Sequence, residues 1–284
     1  MRWLVIGASG QLGSHLISLL AGQDAIGLTI DDLDITSPQA VDDAIRRLRP
    51  DVVLNAAAYT AVDAAESEEA TAFAVNEAGP RLLAAALATH GGRLIHVSTD
   101  YVFGGRAKRP YEPNDPTRPR TVYGRSKLAG ERAARTALRD CHIVRTAWLY
   151  GGPGPNFVDT MLGQERSQRT VDVVADQVGS PTWVRDLAGG LVALGTAGVR
   201  PGVLHYVNTG QASWYELAQE VFRQIGADPG RVRPVSSAQF PRPAPRPAWS
   251  VLSTRSWTAA GLPMPRGWRV ALREHVRQRA ARLA

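Results

Sequence analysis

The stretch Trp3-Leu4-Val5-Ile6-Gly7-Ala8-Ser9-Gly10-Gln11-Leu12-Gly13 decides how the rest of the chain is read. Its four apolar residues suit a short buried strand. Glycines at every third position follow, and a helical pattern over residues 11–21 begins among them. A glycine-rich turn between strand and helix lets the backbone fold tightly and approach a ligand closely. It also aims the free N–H groups and positive dipole end of the helix at an anion. The spacing is G-x-x-G-x-x-G rather than G-x-G-x-x-G, so the case for a dinucleotide pyrophosphate rests on the strand–turn–helix context. Gly7, Gly10, Gln11, Leu12 and Gly13 are the candidate contacts.

That context continues outward. Strand patterns at 25–29, 52–54, 93–97 and 142–145 alternate with helical patterns at 38–48, 68–89 and 124–138. Thr36-Ser37-Pro38 is a helix-opening signal. Such alternation requires parallel neighbours joined by right-handed crossovers. The expected fold is α/β: a doubly wound parallel (Rossmann-type) sheet over residues 1–150, with a smaller C-terminal substrate-binding lobe over 151–284 interleaved with it. Gly79-Pro80 falls inside the third helical pattern, where proline removes a donor and a kink or break is expected. Prolines at alternate positions across 240–247 exclude helix or central strand there, leaving an extended segment packed on the second lobe.

The bulk composition excludes several classes. A chain of 284 residues can bury a large core. The net charge of +7 comes from 33 Lys+Arg scattered among 26 Asp+Glu. The densest basic cluster, 266–282, is interleaved with Trp268, Val270, Leu272 and Val276 and reads as an amphipathic helix with a basic outer face. No nucleic-acid partner is expected, although a basic background attracts an anionic small substrate. The apolar run at the N-terminus is broken at Gly7, too early for export, and no run approaches a membrane span. A cytoplasmic protein without a membrane partner is expected. The lone Cys141 excludes an internal disulfide and reads as a small core residue. The six histidines lack ligand spacing, so no metal is expected, and Trp214, Trp249, Trp257 and Trp268 read as packing anchors.

The chemistry centres on Tyr123-Gly124-Arg125-Ser126-Lys127, which puts Tyr123 and Lys127 on one helix face. A tyrosine, with a reference pKa near ~10, needs help to exchange protons near neutrality, and an adjacent ammonium supplies it. The strand pattern before it ends Val97-Ser98-Thr99-Asp100. A hydroxyl there faces the ligand crevice of an open α/β sheet. Thr99 or Ser98 is therefore placed to orient a substrate carbonyl beside Tyr123. Past the second strand stand Asp31, Asp32 and Asp34, with no Lys or Arg between Arg2 and Arg46 to grip a 2′-phosphate. This favours NADH, with NADPH left open.

These motifs, with Asn55-Ala56-Ala57-Ala58-Tyr59-Thr60-Ala61-Val62-Asp63, Arg145-Thr146-x-Trp148-x-Tyr150, Asn156-Phe157, Asp176-Gln177-x-Gly179-x-Pro181-Thr182 and Arg246-Pro247, resemble the dTDP-4-dehydrorhamnose reductase family. That family lies within the extended short-chain dehydrogenase/reductases, and the likeness spans nearly the whole chain. It implies reduction of the C4 ketone of a dTDP-4-dehydro-6-deoxy sugar by NADPH or NADH, with Tyr123 as proton donor beside Thr99 and Lys127. It implies cofactor contacts at Gly10, Gln11, Leu12, Asp34, Ile35, Ala58, Tyr59, Thr60, Tyr123 and Lys127. Substrate contacts would be Thr99, Asp100, Trp148, Asn156 and Arg246, and residues 104–119 would be a loop over the active site. Members that dimerise around magnesium carry glutamates where this chain has His15 and Arg185, so a monomer or a metal-independent dimer is implied. Alternatives are a related 4-ketoreductase of antibiotic deoxysugar biosynthesis, an epimerase or dehydratase on the same scaffold, and a non-catalytic NAD(P)-binding regulatory subunit.

Overall fold

Short runs of alternating apolar side chains build one sheet whose two faces are both covered. In the computed structural model, which describes residues 1–165 and 170–283, the strands are β1 (Trp3–Ile6), β2 (Ala25–Leu28), β3 (Val52–Asn55), β4 (Arg93–Thr99), β5 (Cys141–Thr146) and β6 (Val203–His205). Their order is β6-β5-β4-β3-β1-β2, parallel throughout. Trp3, Val5, Val52, Leu54, Ile95 and Val144 point into one hydrophobic core. Leu4, Ile6, Val53, Leu94 and Ile143 point into the other. This is the period-two alternation of a strand buried on both sides. Each such side chain contributes roughly 1.5–3 kcal/mol of burial.

Helix α1 (Gln11–Leu19) covers the first face together with α7 (Val184–Thr196). Helices α2 (Pro38–Leu48), α4 (Gly79–His90) and α5 (Val122–Ala137) cover the second. The strand order reverses between β1 and β3, and the crevice opens there, at the carboxyl ends of the strands. The second half of the chain supplies β6 at one edge, with Ile143 N–H donating to Gly202 O at 2.9 Å and Tyr206 N–H to Arg145 O at 2.9 Å. The rest of that half contains α6 (Phe157–Glu165), α8 (Trp214–Gln224) and three small strand pairs. Residues 166–169 and 284, counted within the expected second lobe, lie outside the described residues.

Where expectation and structure differ, local physics accounts for it. The third helical pattern is α3 (Glu69–Phe73), a π-helical turn Ala74–Ala78, then α4. Pro80 has no N–H to offer the Asn76 carbonyl four residues back, so the α-helical ladder lapses at this point. That carbonyl faces α5 at Gly130, where any Cβ would collide with it, so two helices meet through backbone. Helix α5 starts two residues earlier than expected because the Thr121 hydroxyl accepts the Gly124 N–H at 3.0 Å, which puts Tyr123 in the first turn. The C-terminal helix Trp268–Leu283 buries Trp268, Leu272 and Val276, but Val270 is 50% exposed. Two residues from Trp268, it lies on the opposite side of the helix. Among the described residues no helix is long and apolar enough to cross a membrane.

Candidate active site

The opening turn folds as its glycines require. Gly7 sits at φ +80°, and a Cβ on Gly13 would collide with the Gly7 carbonyl. Gly7 and Ala8 both donate their N–H groups to Leu28 O, at 2.9 and 3.0 Å, so the turn is hung from the end of β2. Gly10 caps α1 with extended backbone and no side-chain bond, leaving the first helical N–H groups open to the crevice. The crevice encloses about 1190 Å³. That is large enough for a dinucleotide with a second ligand beside it.

Asp34 and Ile35 form its wall beyond β2. The Asp34 carboxylate accepts the Thr36 N–H and hydroxyl at 2.8 and 2.7 Å, which holds its pKa below the ordinary carboxylate range. Ala58, Tyr59 and Thr60 line the loop after β3. That loop is pinned by Asn76, a residue missed in the sequence. Asn76 accepts the Tyr59 N–H at 2.9 Å and donates to Tyr59 O and to the Ser126 hydroxyl, each at 3.0 Å. A polar amide inside an alanine-rich helical run was the available signal, since such a residue needs a partner when buried.

At the end of β4 the two hydroxyls separate in role. Ser98 donates to Glu131 at 2.6 Å, and Glu131 is gripped by Arg145 through bonds of 2.8 and 2.7 Å, with both partners of the pair 4% exposed. Ser98 is thereby committed to structure. Thr99 accepts the Tyr101 N–H at 3.2 Å, donates to Asp100 at 3.0 Å and lines the crevice together with Tyr123. Burial pushes Tyr123 up to about 12, with Thr99 opposing that and Asp100 adding to it. Burial also raises Asp100 to about 6, against the pull of Ser250 and Thr99. Lys127 is 2% exposed and donates to Val97 O at 2.7 Å; burial brings it down to about 8, while Glu131 acts in the other direction. Thr99, Asp100, Tyr123 and Lys127 all line the crevice.

Trp148 closes the far side. Its φ of +47° is a left-handed conformation, costly for a bulky residue. It is held there by stacking on Trp214 at 3.5 Å between centroids, nearly parallel. Trp214 also lines the crevice, more than the packing anchor expected. Asn156 does not line it. Its amide is spent on α6, donating to Asp159 at 2.9 Å and accepting the Asp159 N–H at 3.0 Å, so this expected substrate contact is turned away. Arg246 does reach the crevice, but Asp63 clamps its guanidinium through bonds of 2.8 and 2.7 Å. The 240–247 segment is therefore tied to the loop after β3 as well as to the second lobe. Arg242, not singled out in the sequence, lines the same wall. Residues 104–119 contribute nothing to the crevice wall; Pro113 O accepts from Arg145 and Tyr111 stacks on Phe103, so this loop braces the back of the site.

The chain resembles known proteins over nearly its whole length. Residues 1–281 match the family described as RmlD substrate binding domain. A dTDP-4-dehydrorhamnose reductase of Mycobacterium tuberculosis is 56% identical, covering 95% of this chain and 91% of that protein. A probable dTDP-4,6-dihydroxy-2-methyloxan-3-one 4-ketoreductase of Streptomyces antibioticus is 52% identical, covering 96% of this chain and 94% of its own. Among solved structures, a dTDP-4-dehydrorhamnose reductase of Bacillus anthracis in complex with NADP superposes with a TM-score of 0.94 at 35% identity, over 98% of this chain and 99% of that one.

Proposed function

The chain belongs to the RmlD substrate binding domain family, and from that membership we propose that it reduces the C4 ketone of a dTDP-4-dehydro-6-deoxy sugar, with Tyr123 as proton donor. The single observation that carries this reading is the convergence of the Thr99 hydroxyl, the Tyr123 phenol and Lys127 on the wall of one large crevice below the glycine turn. The cradle fits a dinucleotide: Gly13, where a Cβ would collide with the Gly7 carbonyl, lets the start of α1 close onto the turn, and Gly7, Gly10 and Gln11 line the crevice. NAD(P)H, when bound, supplies the hydride to the carbonyl carbon.

The chain's own groups do the rest. Thr99 orients the carbonyl oxygen and Tyr123 gives it a proton as negative charge develops, acting as general acid. The raised pKa of Tyr123 keeps it a phenol, the form that donates. Trp148 and Trp214 form a flat apolar wall for the sugar or base, and Asp100 offers it a polar edge. For the diphosphate, Arg242 is the better candidate than Arg246, since Arg242 makes no hydrogen bond among the described residues while Asp63 holds Arg246. Residues 151–284 mainly supply this substrate side, and residues 1–150 the dinucleotide side.

Of the two cofactors, NADH is the better fit. The wall past β2 (Thr29, Ile30, Leu33, Asp34) offers no cation, and its one charged group is the Asp34 carboxylate, which would repel a 2′-phosphate. Without glutamates at His15 and Arg185, the protein works as a monomer or as a dimer that needs no metal. Its buried lone Cys141 fits a reducing compartment such as the cytoplasm.

The test is Tyr123→Phe. With a dTDP-4-dehydro-6-deoxy sugar as substrate, cofactor oxidation is expected to fall by about a hundredfold or more while cofactor affinity stays within about twofold. Turnover like that of the wild type would overturn the assignment. Because the relatives carry two names within one reaction class, NMR of the product separates the rhamnose-type reduction from the antibiotic-sugar type.

A further inference from the structure

The segment of alternating prolines is a strap tied at both ends. At one end Ser237 donates its N–H to the Asp176 carboxylate at 3.0 Å and its hydroxyl at 2.6 Å. Gln177 donates to the same hydroxyl at 2.8 Å. At the other end Asp63 Oδ1 accepts the Ala244 N–H at 3.2 Å, and the two Asp63 oxygens take the Arg246 guanidinium. Arg246 also donates to Ala244 O at 2.9 Å, so both backbone groups of Ala244, a fully buried residue, are held. Past this clamp Pro247 rests against Gly105, where a Cβ would collide with it. Prolines at 241, 243, 245 and 247 fix φ along the strap and limit the shapes open to it.

Two side chains between the anchors, Phe240 and Arg242, line the crevice. Phe240 is 43% exposed, a large apolar ring without full cover. Arg242 makes no hydrogen bond among the described residues. A flat ring and an open guanidinium two residues apart suit the base and the phosphates of one nucleotide. Asp63 stands apart from them, since it does not line the crevice. Burial alone would raise its carboxyl, but Arg246, the Ala244 N–H and then the charge of Arg242 hold it below the ordinary carboxylate range. Asp63 is therefore an anion set behind the strap, paired with Arg246 and close enough for Arg242 to feel it.

We propose that Asp63 is a positioning residue for substrate binding: its clamp on Ala244 and Arg246 holds residues 238–243 so that Arg242 meets the diphosphate of the nucleotide sugar. The substrate in this statement rests on the reading above. Arg246 is then a fastening and not a ligand, and its own bidentate partner is already within the protein. Asp63 lies on the same loop as the cofactor-side residues Ala58, Tyr59 and Thr60. That stretch has a separate anchor, because Asn76 bonds both the N–H and the carbonyl of Tyr59. Opening the clamp therefore acts on the substrate side and spares the cofactor side.

Calorimetric titration of the full-length protein with dTDP tests this. In Asp63→Asn the Kd for dTDP should rise about tenfold or more, while the Kd for NADH stays within about twofold. Arg242→Gln should weaken dTDP binding by a similar factor. Because Asp63 acts through Arg242, the double variant should bind dTDP within about twofold of Arg242→Gln alone. In turnover, Asp63→Asn should raise the ketosugar KM about tenfold with kcat within about threefold. An unchanged dTDP Kd in Asp63→Asn, penalties that multiply in the double variant, or a parallel loss of NADH affinity overturns the proposal. Where Asp63→Asn does not fold, Arg246→Gln opens the clamp from the other side and is read in the same way. Penalties of Arg246→Gln and Arg242→Gln that multiply would make Arg246 itself a ligand and overturn the proposal. A wild type that shows this dTDP pattern but reduces no ketosugar ends the proposed activity and leaves the role of Asp63 standing. Reduction of the ketosugar with a dTDP affinity indifferent to these variants does the reverse.

Discussion

Replacing Glu131 by leucine isolates one buried charge and measures what the Glu131–Arg145 pair does. In the native protein Arg145 donates to both Glu131 oxygens, donates to Pro113 O at 3.1 Å and lies over the Phe103 ring at 5.0 Å. In Glu131→Leu the guanidinium keeps only the last two, in a site 4% exposed to water. Stranding a buried cation costs about 3–5 kcal/mol, and the Ser98 hydroxyl loses its acceptor for about 1 kcal/mol more. With an unfolding entropy near 2.1 cal/mol/K per residue, a chain of this length loses roughly 1.7 °C of Tm per kcal/mol, giving a fall of about 7–10 °C. Thermal unfolding followed by circular dichroism reads this directly. The double variant Glu131→Leu/Arg145→Met removes both charges and should recover most of the loss, to within about 2 kcal/mol of wild type. A single-variant shift under about 2 °C, or a double variant as unstable as the two singles combined, would refute the reasoning.

Three further outcomes follow from the same geometry. Because the folded Asp100 pKa is raised to about 6, its cost to the fold sets in above the unfolded carboxyl value and is complete once pH has risen through about 6; Asp100→Asn should therefore gain about 1.4 kcal/mol, roughly 2 °C, relative to wild type on going from pH 5 to pH 8, and an equal difference at both pH values would count against a buried, ionising carboxyl. Gly13→Ala sets a methyl against the Gly7 carbonyl and should weaken NAD(P)H binding about tenfold or more by fluorescence titration, which an unchanged affinity would contradict. Dissociation constants for the two cofactors should favour NADH by about tenfold or more, since a 2′-phosphate beside Asp34 finds no cation; tighter NADPH binding would show that the wall past β2 has been misjudged.

What could be read from the sequence were features whose signal is local. The β1–turn–α1 unit, the strand–helix rhythm and the four-residue spacing of Tyr123 and Lys127 each depend on neighbours a few positions away. What could not be read depends on distant partners. Nothing near Ser98 says that Glu131 and Arg145 will claim it, leaving Thr99 to face the phenol. Nothing near Asn156 distinguishes a ligand contact from a helix cap, and only the fold shows that its amide is spent on Asp159. Arg246 reads only as a substrate contact because Asp63, which clamps it, is far away in the chain. His96 reads as a strand residue and Asn55 as the start of the motif after the third strand; only pairing in the sheet brings them side by side.

The position of β6 has a consequence for how the polypeptide is made. A nascent chain that has left the ribosome only through β5 already contains the glycine turn, Thr99, Tyr123 and Lys127, yet β5 still presents an unpaired backbone edge. That edge stays open until Val203–His205 arrives, after the intervening helices and loops have been synthesised. The first half is thus not a detachable module: cut at residue 150, it would expose an open flank, prone to pairing with a second molecule. The strand that seals the sheet is encoded in the second half, so the first half cannot complete the sheet without it.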